Sequence, residues 1–196
     1  FKNPENELIP IYLRQSDAEI HLNEKVTKIS NHVNSIQVIT ENKRFSADTV
    51  ISTIPPQLLV NSIKFSPQLD SDVIKIANDT HTWMKDSIKF AVIYKHPFWK
   101  ERGLSGVGFS NTGPITEMYD HTDYNNKHFA LMGFLHPNLS NENKTNRVQK
   151  IQAQLFKFFG DVGKDYLYYQ EKIWSKETLL QVSNNKVIQP HNNNGN

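Results

Sequence analysis

The sequence predicts an α+β fold, with a mixed, largely antiparallel sheet and flanking helices. Three observations predict it. Short period-two runs bounded by Gly, Pro, Asn and Asp recur along the chain. One long run, through Val148, Ile151, Leu155 and Phe158, has the 3.6-residue period of a helix. Strands and helices do not alternate as regular βαβ units, which a parallel sheet would need.

The elements follow in order. Leu8, Ile11 and Tyr12 could share one helical face, with Pro4 near its start and Pro10 against a long helix. Glu19 to Leu22 and Val26 to Ile29 are short strand candidates. Ser35 to Thr40 alternates after the turn-prone Asn31 and Asn34. Glu41-Asn42-Lys43 makes a hairpin turn, and Arg44-Phe45 begins the return. Thr49 to Thr53 has the composition of a fully buried strand, and Pro55-Pro56 ends it and opens a short helix to about Ile63. A second helix from Leu69 to Asn78 carries Val73, Ile76 and Ala77, with an Asp70/Ser71 cap signal.

The stretch from Ser87 to Phe134 organises the rest. Ser87 to Tyr94 is rich in β-formers around one lysine, Lys89, and His96-Pro97 ends it. Phe98 and Trp99 read as core anchors. Gly103, Gly106 and Gly108 loosen the backbone before extended runs at Thr116 to Tyr119 and His128 to Phe134. Leu139 to Lys144 is a polar loop, the helix from about Lys144 to Phe159 closes at Gly160, and Tyr166 to Trp174 reads as a strand. One sheet is expected from Ser35–Thr40, Ser87–Tyr94, Thr116–Tyr119 and His128–Phe134, with that helix over part of it.

Composition excludes several function classes. A formal charge of +2 over 196 residues, with no polybasic run, gives no basis for nucleic-acid binding. No cysteine is present, so disulfide and thiol chemistry are excluded and the redox compartment stays open. No apolar run reaches the ~18 residues that span a bilayer, and a cytoplasmic location is expected. The eight histidines show no recognised ligand spacing. His121 and His128 beside Asp120 and Asp123 read as a solvated turn, and no metal is expected. No G-x-S-x-G elbow occurs. The first residue is Phe1 and the last stretch is Asn-rich, so both ends read as cuts in a longer protein.

Lys89, Tyr94, Pro97, Phe98, Trp99, Gly103, Ser105, Gly106, Asp120, Gly133 and Phe134 together form a pattern that resembles the flavin-containing amine oxidases. So do VTKISNHVNSIQVITENKRFSADTVISTIPPQLL, EKIWSKE and the final QPHNNNGN. The resemblance implies a sheet-centred substrate domain beside an FAD domain, and residues 1–196 read as that single substrate-binding-type domain. No G-x-G-x-x-G turn between strand and helix occurs, and the C-terminal flavin motif is missing too. FAD is therefore expected in a full-length parent and not held tightly by this chain. The substrate implied is a small amine or amino acid, and the oligomeric state is open.

By resemblance, Lys89 matches a lysine that holds a water near the flavin N5; by residue type alone it is a strand lysine that snorkels to water. Val26 matches a valine whose backbone holds the adenine end of FAD, and Trp174 one that packs beside the flavin ring. Read plainly, both are strand residues. Met132 and Phe134 would face a substrate cavity, or belong to the core. Glu117 and Tyr119, two apart, share a face and could line that cavity, the acid attracting an ammonium. Alternation puts Lys89, Ala91 and Ile93 on one face of their strand, and Ile88, Phe90 and Val92 on the other. Two function classes remain: the substrate side of an FAD-dependent amine oxidase, or a free-standing, non-catalytic binding domain of the same fold.

Overall fold

The structure is a computed structural model that describes residues 11, 15–180, 182, 188 and 191–193. Leu8 and Tyr12 of the N-terminal helical face, and most of the last eight residues, lie outside that set. Two compact units divide the chain: 1–83 together with 182–196, and 84–181.

The first unit holds a four-stranded sheet. β1 (Val26–His32) and β2 (Ser35–Thr40) form a hairpin across Val33 and Asn34. β3 (Arg44–Ala47) pairs with β2, and β4 (Lys64–Ser66) runs parallel to β1, giving the order β3-β2-β1-β4. Thr40 staples the β2–β3 turn. Its hydroxyl donates to Glu24 and accepts from the backbone of Lys43 at 2.8 Å. Two short helices follow: α1 (Pro56–Ser62), with proline in its first turn, and α2 (Ser71–Asp79), whose Asp70 cap accepts from Asp72 N at 2.8 Å. The buried Gln57 side chain donates to Asn78 O at 2.8 Å and ties α1 to α2.

The second unit holds a five-stranded antiparallel sheet in the order β6-β7-β8-β5-β9. Its strands are β5 (Ile88–Tyr94), β6 (Gly108–Phe109), β7 (Ile115–Asp120), β8 (Phe129–Leu135) and β9 (Tyr168–Ile173). Period two places Ile88, Phe90, Val92 and Tyr94 of β5 on the buried face, with Met118, Leu131 and Leu135 from β7 and β8. The short α3 (Phe98–Glu101) and the long α4 (Lys144–Phe159) cover that face. Phe98, Trp99, Ile151 and Leu155 are their buried contributions. Each such large apolar side chain contributes roughly 1.5–3 kcal/mol by burial. Asn143 caps α4 by accepting from Asn146 N at 2.8 Å, and Gly160 ends it at φ 75°. Among the described residues no helix is long and apolar enough to cross a membrane.

The α+β class holds, and most strands fall where alternation put them. Four expectations need correction. Ser35–Thr40 lies in a separate sheet, because its ladder partners are the adjoining β1 and β3. Closing those short loops costs less entropy than pairing across the chain. Residues 19–22 and 49–53 form no strand; neither has a ladder partner among the described residues, and Ile51 is 85% exposed. Trp174 stands in the 3-10 turn after β9, not on the strand. In α4 the buried positions include Arg147 and Gln154, while Phe158 is exposed. Those polar side chains stay inside because their hydrogen bonds are met there. Gln154 bonds Ile115 N, Ile115 O and Thr112 O at 2.7–3.0 Å, and Arg147 pairs with Glu171 of β9.

Candidate functional site

The face of the second sheet opposite the core carries the expected site residues of that unit. Lys89 stands across from Phe134, and Phe134 across from Glu117. One step along, Ala91 faces Met132, and Met132 faces Tyr119. Cross-strand partners project from the same side, so Lys89, Glu117, Tyr119, Met132 and Phe134 form one half-buried patch.

A bulge makes this arrangement possible. Ile115 pairs with Leu135 and Glu117 with Phe134, so two steps along β7 match one along β8. Ile115 therefore points into the core while Glu117, two residues on, points to the patch. Gly133 lies under the bulge, where a Cβ would come within 2.0 Å of Glu117 O. Only glycine accepts that approach.

The chemistry of the patch is mixed. The Lys89 ammonium lies 5.5 Å from the centre of the Phe134 ring and has no ion-pair partner among the described residues. The Tyr119 hydroxyl donates to Glu117 Oε2 at 2.7 Å, and that bond raises the phenol pKa. Phe109 packs edge-on to Tyr119 with ring centres 6.0 Å apart. A cleft of about 430 Å³ lined by Phe109, Ser110, Thr116, Glu117 and His136 opens beside the acid. At the far edge, Asp120 anchors β7 to α3 through Lys100 at 3.0 Å.

Trp174 follows β9 directly, in the 3-10 turn. Its backbone N donates to Ser87 O at 3.0 Å, beside the start of β5. Its indole Nε1 is buried and has no acceptor among the described residues. Val26 begins β1 in the first unit, beside a register shift between Val26 and Lys28. Sequence reasoning missed Lys172, which stands directly opposite Lys89. Its even spacing with Gln170 and Trp174 was the available signal.

A cation over an aromatic ring, with an indole just past the end of the neighbouring strand, suits a planar, polar-edged group such as a flavin ring. The donor set contains no cluster of three or more metal ligands among the described residues.

Comparison with known proteins decides the family. The family model for flavin containing amine oxidoreductases matches residues 4–192. The chain belongs to that family. Putrescine oxidase of Kocuria rosea is 27% identical over 155 residues, which are 76% of this chain and 32% of that protein. Amine oxidase [flavin-containing] B of Canis lupus familiaris is 29% identical over 167 residues, 81% of this chain and 32% of that protein. A solved putrescine oxidase, wild type with putrescine bound, superposes with a TM-score of 0.76 at 25% identity, over 87% of this chain and 38% of that one. The chain thus spans about a third of the length of these flavin amine oxidase relatives.

Proposed function

We propose that this chain forms the substrate side of an FAD-dependent amine oxidase, acting on an amine C–N group with oxygen as acceptor. The observation that carries the reading is the shared patch of Lys89, Glu117, Tyr119, Met132 and Phe134 on one sheet face. When bound, the flavin would supply the acceptor for the hydride equivalent taken from the amine C–H. Within the second unit Trp174 would hold it by its ring; Val26, in the first unit, is a separate candidate for a backbone contact. Lys89 keeps a cation beside the Phe134 ring, where Nζ–H groups can hold a water and favour negative charge nearby. Met132 and Phe134 supply apolar walls. Glu117, held by Tyr119, attracts an ammonium, so an amine with a second cationic group, such as putrescine, is the substrate class favoured.

A chimera tests this. Residues 15–180 would replace the matched stretch of Kocuria rosea putrescine oxidase, and bound flavin and both half-reactions would be followed by stopped flow. We expect a flavin-loaded protein in which Lys89→Met slows reoxidation by oxygen far more than reduction by putrescine. Glu117→Gln should weaken putrescine binding at least about ten-fold, the worth of a charge-assisted hydrogen bond. Unchanged reoxidation in Lys89→Met would sink the role of the lysine. A chimera that folds and loads flavin but does not oxidise amines would favour the non-catalytic binding domain.

A further inference from the structure

Lys89 and Lys172 face each other directly across the β5–β9 ladder. Like charges so placed destabilise a strand pair. The two side chains part. Lys89 leans over Phe134, while Lys172 turns the other way. The Lys172 ammonium lies 5.3 Å from the centre of the Trp174 ring and 2.6 Å from Glu177 Oε2. Glu177 is itself fixed: its backbone N donates to Trp174 O at 2.9 Å, and Leu180 N donates to Glu177 O at 3.0 Å. The Lys172 hydrogen bond, with help from the Leu179 and Thr178 amides, holds the Glu177 carboxyl below its ordinary range. The indole is therefore pinned at its backbone by Ser87 and at its ring by a cation that is anchored in turn.

We propose that Lys172 is a positioning residue: clamped between Glu177 and the indole, it sets the plane of Trp174 and leaves Lys89 as the one strand-face cation turned towards Phe134. This rests on the reading of Lys89 and Trp174 given under the proposed function. The clamp explains why two lysines share a register position.

The test needs no flavin. A 15N-labelled sample of the chain gives indole N–H signals from Trp83, Trp99 and Trp174, and Trp174→Phe assigns the last. Lys172→Met keeps the stem and removes the charge. Loss of a partly exposed cation–π contact should speed exchange of the Trp174 indole proton about two- to five-fold and shift its signal. Trp99, wholly buried, should keep its signal and so reports an intact fold. Lys172→Arg should restore the wild-type values, since a guanidinium can meet ring and carboxylate together. If Lys172→Met disturbs Trp99 as well, Glu177→Gln takes its place, with the same change expected at Trp174. An unchanged Trp174 signal and exchange rate in the variant with an intact fold, or no rescue by arginine, overturns the proposal. Because the readout is taken without flavin, a failed clamp leaves the proposed function standing, and a failed chimera leaves the clamp standing.

Discussion

Arg147→Leu should cost this protein about 3–5 kcal/mol, the range for breaking a buried ion pair from one side. The structure puts the pair in that class. The side chains of Arg147 and Glu171 are 4% and 7% exposed. Arg147 Nε donates to Glu171 Oε2 at 3.0 Å and Nη2 to Oε1 at 2.5 Å. Nη1 donates to the carbonyls of Leu139 and Glu142. The Tyr169 hydroxyl adds a bond to Glu171 Oε2 at 2.6 Å. Leucine would leave a carboxylate, buried under α4, with one phenol for company, and two carbonyls without their donor. A solvent-exposed pair would be worth only about 0–1 kcal/mol. The effect also carries a pH signature. Burial raises the Glu171 carboxyl, yet the bonds from Arg147 and Tyr169 outweigh it and hold the group below its ordinary value. A depressed carboxyl contributes stability that is full above about pH 4.3 and is lost as pH falls through its folded value. The gap between wild type and variant should therefore narrow in acid. Urea unfolding, read at Trp99 in the same unit, at pH 7 and again near pH 3 measures both effects. The double variant Arg147→Leu, Glu171→Leu should recover most of the loss. A single-variant cost below about 1 kcal/mol, or a gap that does not narrow in acid, would refute the reasoning.

Three further outcomes are expected. Gly133→Ala should destabilise the second unit by about 1–3 kcal/mol, because its Cβ meets the backbone of Glu117; a neutral melting curve would count against the bulge. Tyr94→Phe removes the buried bond from its hydroxyl to Gly163 O at 2.8 Å and should cost about 1–3 kcal/mol in urea unfolding. The Asp123 carboxyl should titrate at about 2, lowered chiefly by the His128 amide and ring and also by the Lys127 amide. The turn it closes is thus fully supported above its unfolded value, about 3.9, and loosens as pH falls through about 2. A carboxyl signal with a midpoint near the unfolded value would contradict this.

Local pattern explains what could be read in advance. The alternation in Ile88–Tyr94 gives both the strand and its buried face, and the same parity puts Lys89 on the other side. Gly160 marks the end of α4, as its place after the periodic run suggests. What stayed hidden depends on partners distant in sequence. Arg147 reads as a surface residue until Glu171, 24 positions on, is set against it. The apolar run at 49–53 looks like a buried strand, but composition does not say whether a neighbour exists to pair with it. Lys172 looks like any solvent-facing lysine until register sets it against Lys89. Glu117 and Tyr119 were legible because they lie on one side of the bulge; Ile115, on the other, breaks the parity.

The bulge in β7 also has a bearing on length. In a regular strand, facing is a matter of odd and even, and one residue gained or lost upstream turns every later side chain over. Here one surplus residue, Thr116, is stored within the strand, its hydroxyl donating to Phe134 O at 3.1 Å. Deleting it would take up slack: Ile115 opposite Leu135 and Glu117 opposite Phe134 would become consecutive rungs of an ordinary ladder. The acid and the phenol would keep their side. The turn at residues 110–114 can thus drift by one residue without moving Glu117, because the difference is absorbed above Gly133 before it reaches the patch.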